Sequence, residues 1–230
     1  GVEKVVDLGD GVAVVASNTW LAQQAVDSIP VEWERAPFLE ESRDLDKALE
    51  AAFRGEPDGV LRDEGDVARS YPGEISAEYR VPFLAHATME PMNATAWLDG
   101  NGLQLWVGHQ APTFLRNHAA EEAGIPEEEV TVHVTLMGGG FGRRSEMDFG
   151  VIATRVAKAM PGTPVQVTWS REEDMRHDFY RPAAIGRFRG AVEDGLVCLL
   201  EVAARGERPS TGLLHEALGH RYSAVRWTAA

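Results

Sequence analysis

Residues 137–144 read Met137-Gly138-Gly139-Gly140-Phe141-Gly142-Arg143-Arg144. Four glycines in five positions remove every β-carbon but one. Such a turn can take positive φ and bring backbone N–H groups close to an anionic ligand. Two arginines follow at the mouth of a helix-like segment, where planar guanidinium groups suit phosphate oxygens. Phe141 is the single large side chain of the turn and would lie against whatever the turn cradles. The run is not a P-loop, because no Gly-Lys-Ser/Thr follows. Nor is it a dinucleotide fingerprint, because position 143 would have to be small and is arginine. A glycine-rich strand-to-helix turn without a ligand is the plainer reading of the same residues.

Other residues could join it. Gln110 ends the apolar run Leu103–His109, just before Pro112. A strand-end amide can donate to a ligand oxygen while the strand holds it rigid, or it can cap the next helix. His86 and Glu90 are four apart and would share a metal if helical. Pro91 and alternating neighbours favour an extended segment, so hydrogen bonding near a ligand fits them better. His215 and His220 resemble a zincin pair but stand five apart, where the motif needs four. Phe179-Tyr180-Arg181-Pro182, after His177-Asp178, reads as an aromatic packing cluster with an Arg–Asp pair. No protein metal site is expected.

The elements that must hold these residues are legible. The glycine turn lies between an apolar strand, Val130–Leu136, and a helix, Glu146–Met160, ended by Pro161-Gly162. Asn93–Leu98 and Leu103–Val107 flank Asp99-Gly100-Asn101-Gly102, a hairpin signal. Pro112 and Gly124 bracket a helix. Val165–Trp169 is a strand, and Ser170 to Glu173 forms a capping box. Glu74–Val81 alternates as a strand, and Ala184–Val192 and Leu196–Ala204 form a second hairpin around Gly195. Near the start, Val2–Val6 and Val12–Ala16 flank a glycine turn. A helix capped by Ser17 or Asn18 follows, then a short strand, Val31–Glu34. Residues 40–53 form a helix, and 54–73 read as extended linker. The expected class is α+β: mixed sheets with hairpins and flanking helices.

Composition narrows the functions. The chain has 230 residues, 22 Lys and Arg against 36 Asp and Glu, and a net charge of −14. Nucleic acid is excluded as a partner, since phosphate binding needs a basic surface. No run of 18 apolar residues predicts a membrane span. The single cysteine, Cys198, excludes an internal disulfide and a cysteine-ligated zinc or iron–sulfur site; it reads as a buried small hydrophobe. The opening Gly-Val-Glu-Lys-Val-Val-Asp shows no basic, apolar leader and suggests a piece of a longer chain. Cytoplasm and periplasm both remain open.

Four ordered segments resemble one family. Gly138 to Asp148 resembles the glycine loop of molybdenum-binding subunits of the xanthine dehydrogenase and aldehyde oxidase superfamily. The double arginine resembles the isoquinoline 1-oxidoreductase β-subunit type. His86-Ala-Thr-Met-Glu90-Pro91 resembles that branch's His-x-x-Met-Glu-Pro segment. Trp106 to Pro112 and Trp169 to Pro182 resemble its neighbouring segments. The resemblance implies that residues 1–38 end a small hammerhead-like domain, 39–73 are a linker, and 74–230 are the first half of a molybdopterin-binding domain. It implies that Gln110, Gly139, Gly140, Phe141, Gly142, Arg143 and Arg144 contact molybdopterin, in the cytosine dinucleotide form. The metal is then held by the cofactor's dithiolene sulfurs, not by the protein. Ser145 stands where the purine-binding branch carries glutamate, which favours aldehydes or aromatic N-heterocycles, oxidised with water as oxygen source. The partners implied are an iron–sulfur subunit and an electron-carrier subunit. The catalytic glutamate lies near the end of a far longer chain, so no catalytic residue is assigned here. This chain by itself is expected to lack cofactor and activity. The alternative is a phosphate- or nucleotide-binding module using Gly138–Gly142 without redox chemistry; a non-catalytic scaffold is a third.

Overall fold

The computed structural model describes residues 1–9, 11–32, 42–56, 59, 66, 68–194 and 196–206. They fall into two compact units, one formed by Gly1–Glu32 with Ala85–Tyr180, the other by Trp33–Leu84 with Arg181–Ala230.

The first unit opens with strands β1 (Val2–Asp7) and β2 (Val12–Ala16), paired antiparallel, and helix α1 (Thr19–Asp27). The Asn18 side chain caps α1 by accepting from the Leu21 amide at 3.0 Å. Val31 and Glu32 carry no strand, and residues 33 and 34 lie outside the described residues. Leu8, Ala13 and Val15 pack on the same core as residues 92–169. That contact is why the N-terminal hairpin joins this unit.

Its main sheet has strands β4 (Asn93–Asp99), β5 (Gly102–Val107), β6 (Val130–Val134) and β7 (Val165–Thr168), in the order β6-β5-β4-β7. The pairs β4–β5 and β4–β7 are antiparallel, whereas β5–β6 is parallel and needs a crossover. Helix α3 (Pro112–Ala123) supplies it and ends where Gly124 takes φ 75°. Helix α4 (Asp148–Ala159) packs beside α3 on the sheet. Leu103, Leu105, Leu115 and Ala153 are fully buried between these layers, with Phe149 at 1% exposure. Each such leucine contributes about 1.5–3 kcal/mol of burial. A short helix α5 (Arg171–Arg176) follows β7; the Ser170 side chain caps it, accepting from Glu173.

Two boundaries around the glycine run differ from expectation. The strand ends at Val134 rather than Leu136, which is 97% exposed. The helix begins at Asp148 rather than Glu146, because a 3-10 turn, Arg143–Ser145, and an extended Glu146 intervene.

The second unit holds helix α2 (Ser42–Ala52) and a sheet of β3 (Ile75–Val81), β8 (Ala184–Glu193) and β9 (Leu196–Gly206), in the order β3-β8-β9, all antiparallel. One face buries Ile185 against Leu49 of α2, and Arg187 pairs with Glu78 at 2.8 Å. The register places Ile75, Tyr79, Val81, Phe188 and Leu200 on the opposite face, where all five are exposed.

Gly102 fixes the start of β5. Its φ is 119°, and a β-carbon there would stand 2.2 Å from the Glu129 carbonyl oxygen. Overpacking and positive-φ strain together cost about 2–4 kcal/mol. Gly102→Ala should therefore lower the thermal midpoint by roughly 5–15 °C, followed by circular dichroism.

Candidate cofactor site around the glycine loop

The loop is a strained, open turn. Gly139, Phe141 and Gly142 take φ of 100°, 54° and 98°, while Gly140 does not take positive φ. Such alternation of sign lets successive amides converge on one concavity. Two amides are used internally: Gly138 N–H donates to Glu90 Oε2 at 2.6 Å and Gly142 N–H to Gln110 Oε1 at 3.0 Å. The amides of Gly139, Gly140 and Phe141 donate to no protein group among the described residues. Phe141 is 75% exposed. A β-carbon at Gly140 would stand 2.6 Å from Gln110 Oε1, and one at Gly138 would stand 2.6 Å from Glu90 Cβ. The cradle thus depends on glycine at both positions. It does not open onto a long helix: the 3-10 turn separates it from α4, whose N-cap is Met147.

Arg143 and Arg144 are turned inward. They are 1% and 0% exposed, so neither guanidinium is offered to an anion. Arg143 forms a fork on Asp148, with 2.9 and 2.7 Å bonds, and its Nε lies 3.1 Å from Asp178. Phe149, Trp169 and Phe179 rings lie within 6 Å of its charge. Arg144 ties three segments together. Its Nε donates to Gly139 O at 2.9 Å, Nη1 to Gly108 O at 3.2 Å and Nη2 to Glu90 O at 2.9 Å. The same Nη2 lies 3.1 Å from the Glu90 carboxylate. In low dielectric, two unpaired cations would be far too costly, so the sequence GRR requires these partners.

Glu90 closes the knot from the other side. Besides Gly138 and Arg144, it accepts from the Asn93 side chain at 2.7 Å. Burial pushes its carboxyl up, but Asn93, Gly138 and Arg144 outweigh that and leave it below the usual range. Among the described residues no group of three or more Asp, Glu, His or Cys suits a metal, and His86 and Glu90 make separate contacts. Instead His86 faces Asp178: Nδ1 lies 3.0 and 3.1 Å from its two oxygens, and the His86 amide also donates to it. The expected Arg–Asp pair near Phe179 is therefore Arg143–Asp178, and Arg181 instead pairs its backbone with Leu84.

Gln110 sits at the loop, not on the helix. Its amide donates to Arg144 O at 2.9 Å, and its Oε1 is taken by Gly142. Its Nε2 has no protein partner among the described residues, and the residue is exposed. The capping alternative fails, since the α3 N-cap is Ala111 without a side-chain cap. His109 takes up that position instead. Its Nδ1 accepts from Ala111 N–H at 3.0 Å and its Nε2 donates to Glu146 O at 3.0 Å. Burial lowers its pKa below the ordinary 6.5. No role was expected for His109. The signal was its parity, continuing the buried positions Leu103, Leu105 and Val107. His215 and His220, and the Cys198 side chain, lie outside the described residues.

Two outcomes follow from this packing. Arg144→Lys keeps the charge but loses the planar fork, leaving buried carbonyls unpaired, and should cost about 2–4 kcal/mol in urea unfolding. His109 is held neutral, so the unfolded chain protonates first as pH falls. Its contribution is present above about pH 6.5 and is lost below it. The gap in thermal midpoint between wild type and His109→Gln should therefore shrink from pH 7.5 to 5.5.

Several known proteins are similar to this chain. Isoquinoline 1-oxidoreductase subunit beta of Brevundimonas diminuta is 32% identical over 208 residues, covering 84% of this chain and 26% of that protein. The membrane-bound aldehyde dehydrogenase [pyrroloquinoline-quinone] of Gluconacetobacter polyoxogenes is 29% identical over 213 residues, covering 90% and 27%. The crystal structure of quinoline 2-oxidoreductase from Pseudomonas putida 86 superposes with a TM-score of 0.63 at 25% identity, over 83% of this chain and 26% of that one. The chain thus spans about a quarter of the length of these relatives. Residues 54–206 match the molybdopterin cofactor-binding domain, and the chain belongs to that family.

Proposed function

We propose that the Gly139–Gly142 loop and Gln110 form one wall of a molybdopterin site, in a longer protein that oxidises an aldehyde or an aromatic N-heterocycle with water as oxygen source. The observation that carries this reading is the set of loop amides at Gly139, Gly140 and Phe141 with no protein acceptor, next to a free Gln110 Nε2. When bound, the cofactor supplies a two-electron redox centre. This chain's residues do the rest of what is assigned here. The three amides and Gln110 Nε2 donate to acceptor atoms placed against the loop. Gln110 is rigid because its own oxygen and amide are bonded to Gly142 and Arg144. Phe141 presents an apolar edge that excludes water beside the bound group. Arg143 and Arg144 act indirectly, by holding the loop from behind. Among the described residues none is assigned as the general base.

The finer readings also belong here. The cofactor is taken as the cytosine dinucleotide form, absent from the 230-residue chain on its own. Residues 1–38 are taken as the end of a hammerhead-like domain, 39–73 as a linker, and 74–230 as the first half of the cofactor domain. Electrons are taken to leave through an iron–sulfur subunit, since the one cysteine of this chain cannot ligate a cluster. The quinone in the name of the Gluconacetobacter relative marks a competing cofactor, which metal and pterin analysis distinguishes.

Two variants in the full-length protein test the site. Gly140→Val drives a branched side chain into Gln110 Oε1 and Met137. It should abolish molybdenum and pterin content while circular dichroism stays unchanged; full metal content in a folded variant would reduce the loop to a structural turn. Gln110→Ala removes one hydrogen bond to a polarised acceptor, about 1.5–3 kcal/mol, and should lower turnover about tenfold or more. Unchanged turnover would remove Gln110 from the site.

A further inference from the structure

The His86–Asp178 pair is more than the loop needs for support. Asp178 is 5% exposed and is fixed by Arg143, which is itself forked on Asp148. A carboxylate can only accept, so the proton of the bonded ring nitrogen sits on His86 Nδ1. With the ring proton on Nδ1, a singly protonated imidazole presents Nε2 as an acceptor. That atom has no protein partner among the described residues, and it is not sealed from solvent. It faces the loop: a β-carbon built on Gly142 would find His86 Nε2, at 4.0 Å, as its sole neighbour within that distance. The other charged groups nearby are Arg143 and Asp178, already paired, and Glu146, whose carboxyl burial and the neighbouring Asp148 push up. A purely structural histidine would use Nδ1 and bury Nε2; here the ring is oriented from behind and left open in front.

We propose that His86 is a further cofactor-binding residue, whose Nε2 accepts a hydrogen bond from an N–H of the pterin placed against the Gly139–Gly142 loop. This rests on the assignment of the loop to molybdopterin. The test separates the two ring nitrogens in the full-length protein. His86→Asn retains a polar atom near the Nδ1 position, opposite Asp178, and His86→Gln retains one near the Nε2 position. The readout is pterin per folded protein, released by denaturation, oxidised and measured by fluorescence, with folding followed by circular dichroism. His86→Gln should keep at least half of the wild-type pterin, and His86→Asn should lose about fivefold or more. Full loading of His86→Asn, or equal loss in both folded variants, would overturn the proposal. Gly140→Val measured alongside distinguishes the two failures. If it is empty while His86→Asn is full, only the His86 role falls; if it loads fully, the loop assignment falls and the His86 role with it.

Discussion

The arrangement around the loop depends on one buried cation. Arg144 has no exposure, and its guanidinium must find acceptors or the fold is lost. It finds them on three segments distant in sequence: the loop at Gly139, the strand end at Gly108, and the segment at Glu90. Satisfying the charge therefore places those three segments at fixed separations. Glu90 then reaches Gly138, and the backbone oxygen of Arg144 holds Gln110. The loop's positive-φ residues are thus held by the surrounding packing, as strained functional turns must be. The amides of residues 139–141 donate to no protein acceptor among the described residues.

Arg143 plays the same part for a second set of groups. Its fork on Asp148 anchors the start of α4, and Asp178 links it to His86. The two adjacent arginines thereby divide the work. One fixes the loop against the sheet; the other fixes the 86 and 178 segments beside it. Their charges are spent inside the protein, so the polarity offered to a ligand comes from backbone amides, Gln110 and His86. The backbone amides and Gln110 Nε2 are donors, which suit a cofactor whose negative charge is spread over several atoms and need no mobile cation.

Much of this was legible in the sequence. Turn chemistry gave the hairpin at Asp99–Gly102, the Gly124 helix end and the Asn18 and Ser170 caps, because each rests on local backbone rules. Four glycines around one phenylalanine pointed to the cradle. What sequence could not supply was the environment of the charges. Arginines after a glycine turn resemble an anion clamp, and only the fold brings Asp148, Asp178 and Glu90 to them. The acidic residue four from His86 suggested a pair, whereas His86 takes Asp178, 92 positions away. Residues 1–32 reach the core through long-range packing of Leu8, Ala13 and Val15 that no local pattern announces.

The central claim is that the Arg144–Glu90 knot holds the loop amides ready for molybdopterin. A crystal structure of the full-length protein with its cofactor tests it most directly. The account predicts cofactor atoms at about 2.7–3.2 Å from one or more amides of residues 139–141 and from Gln110 Nε2, with Arg143 and Arg144 still buried and paired. Cofactor density away from this loop, or either arginine turned outward to bind it, would contradict the account.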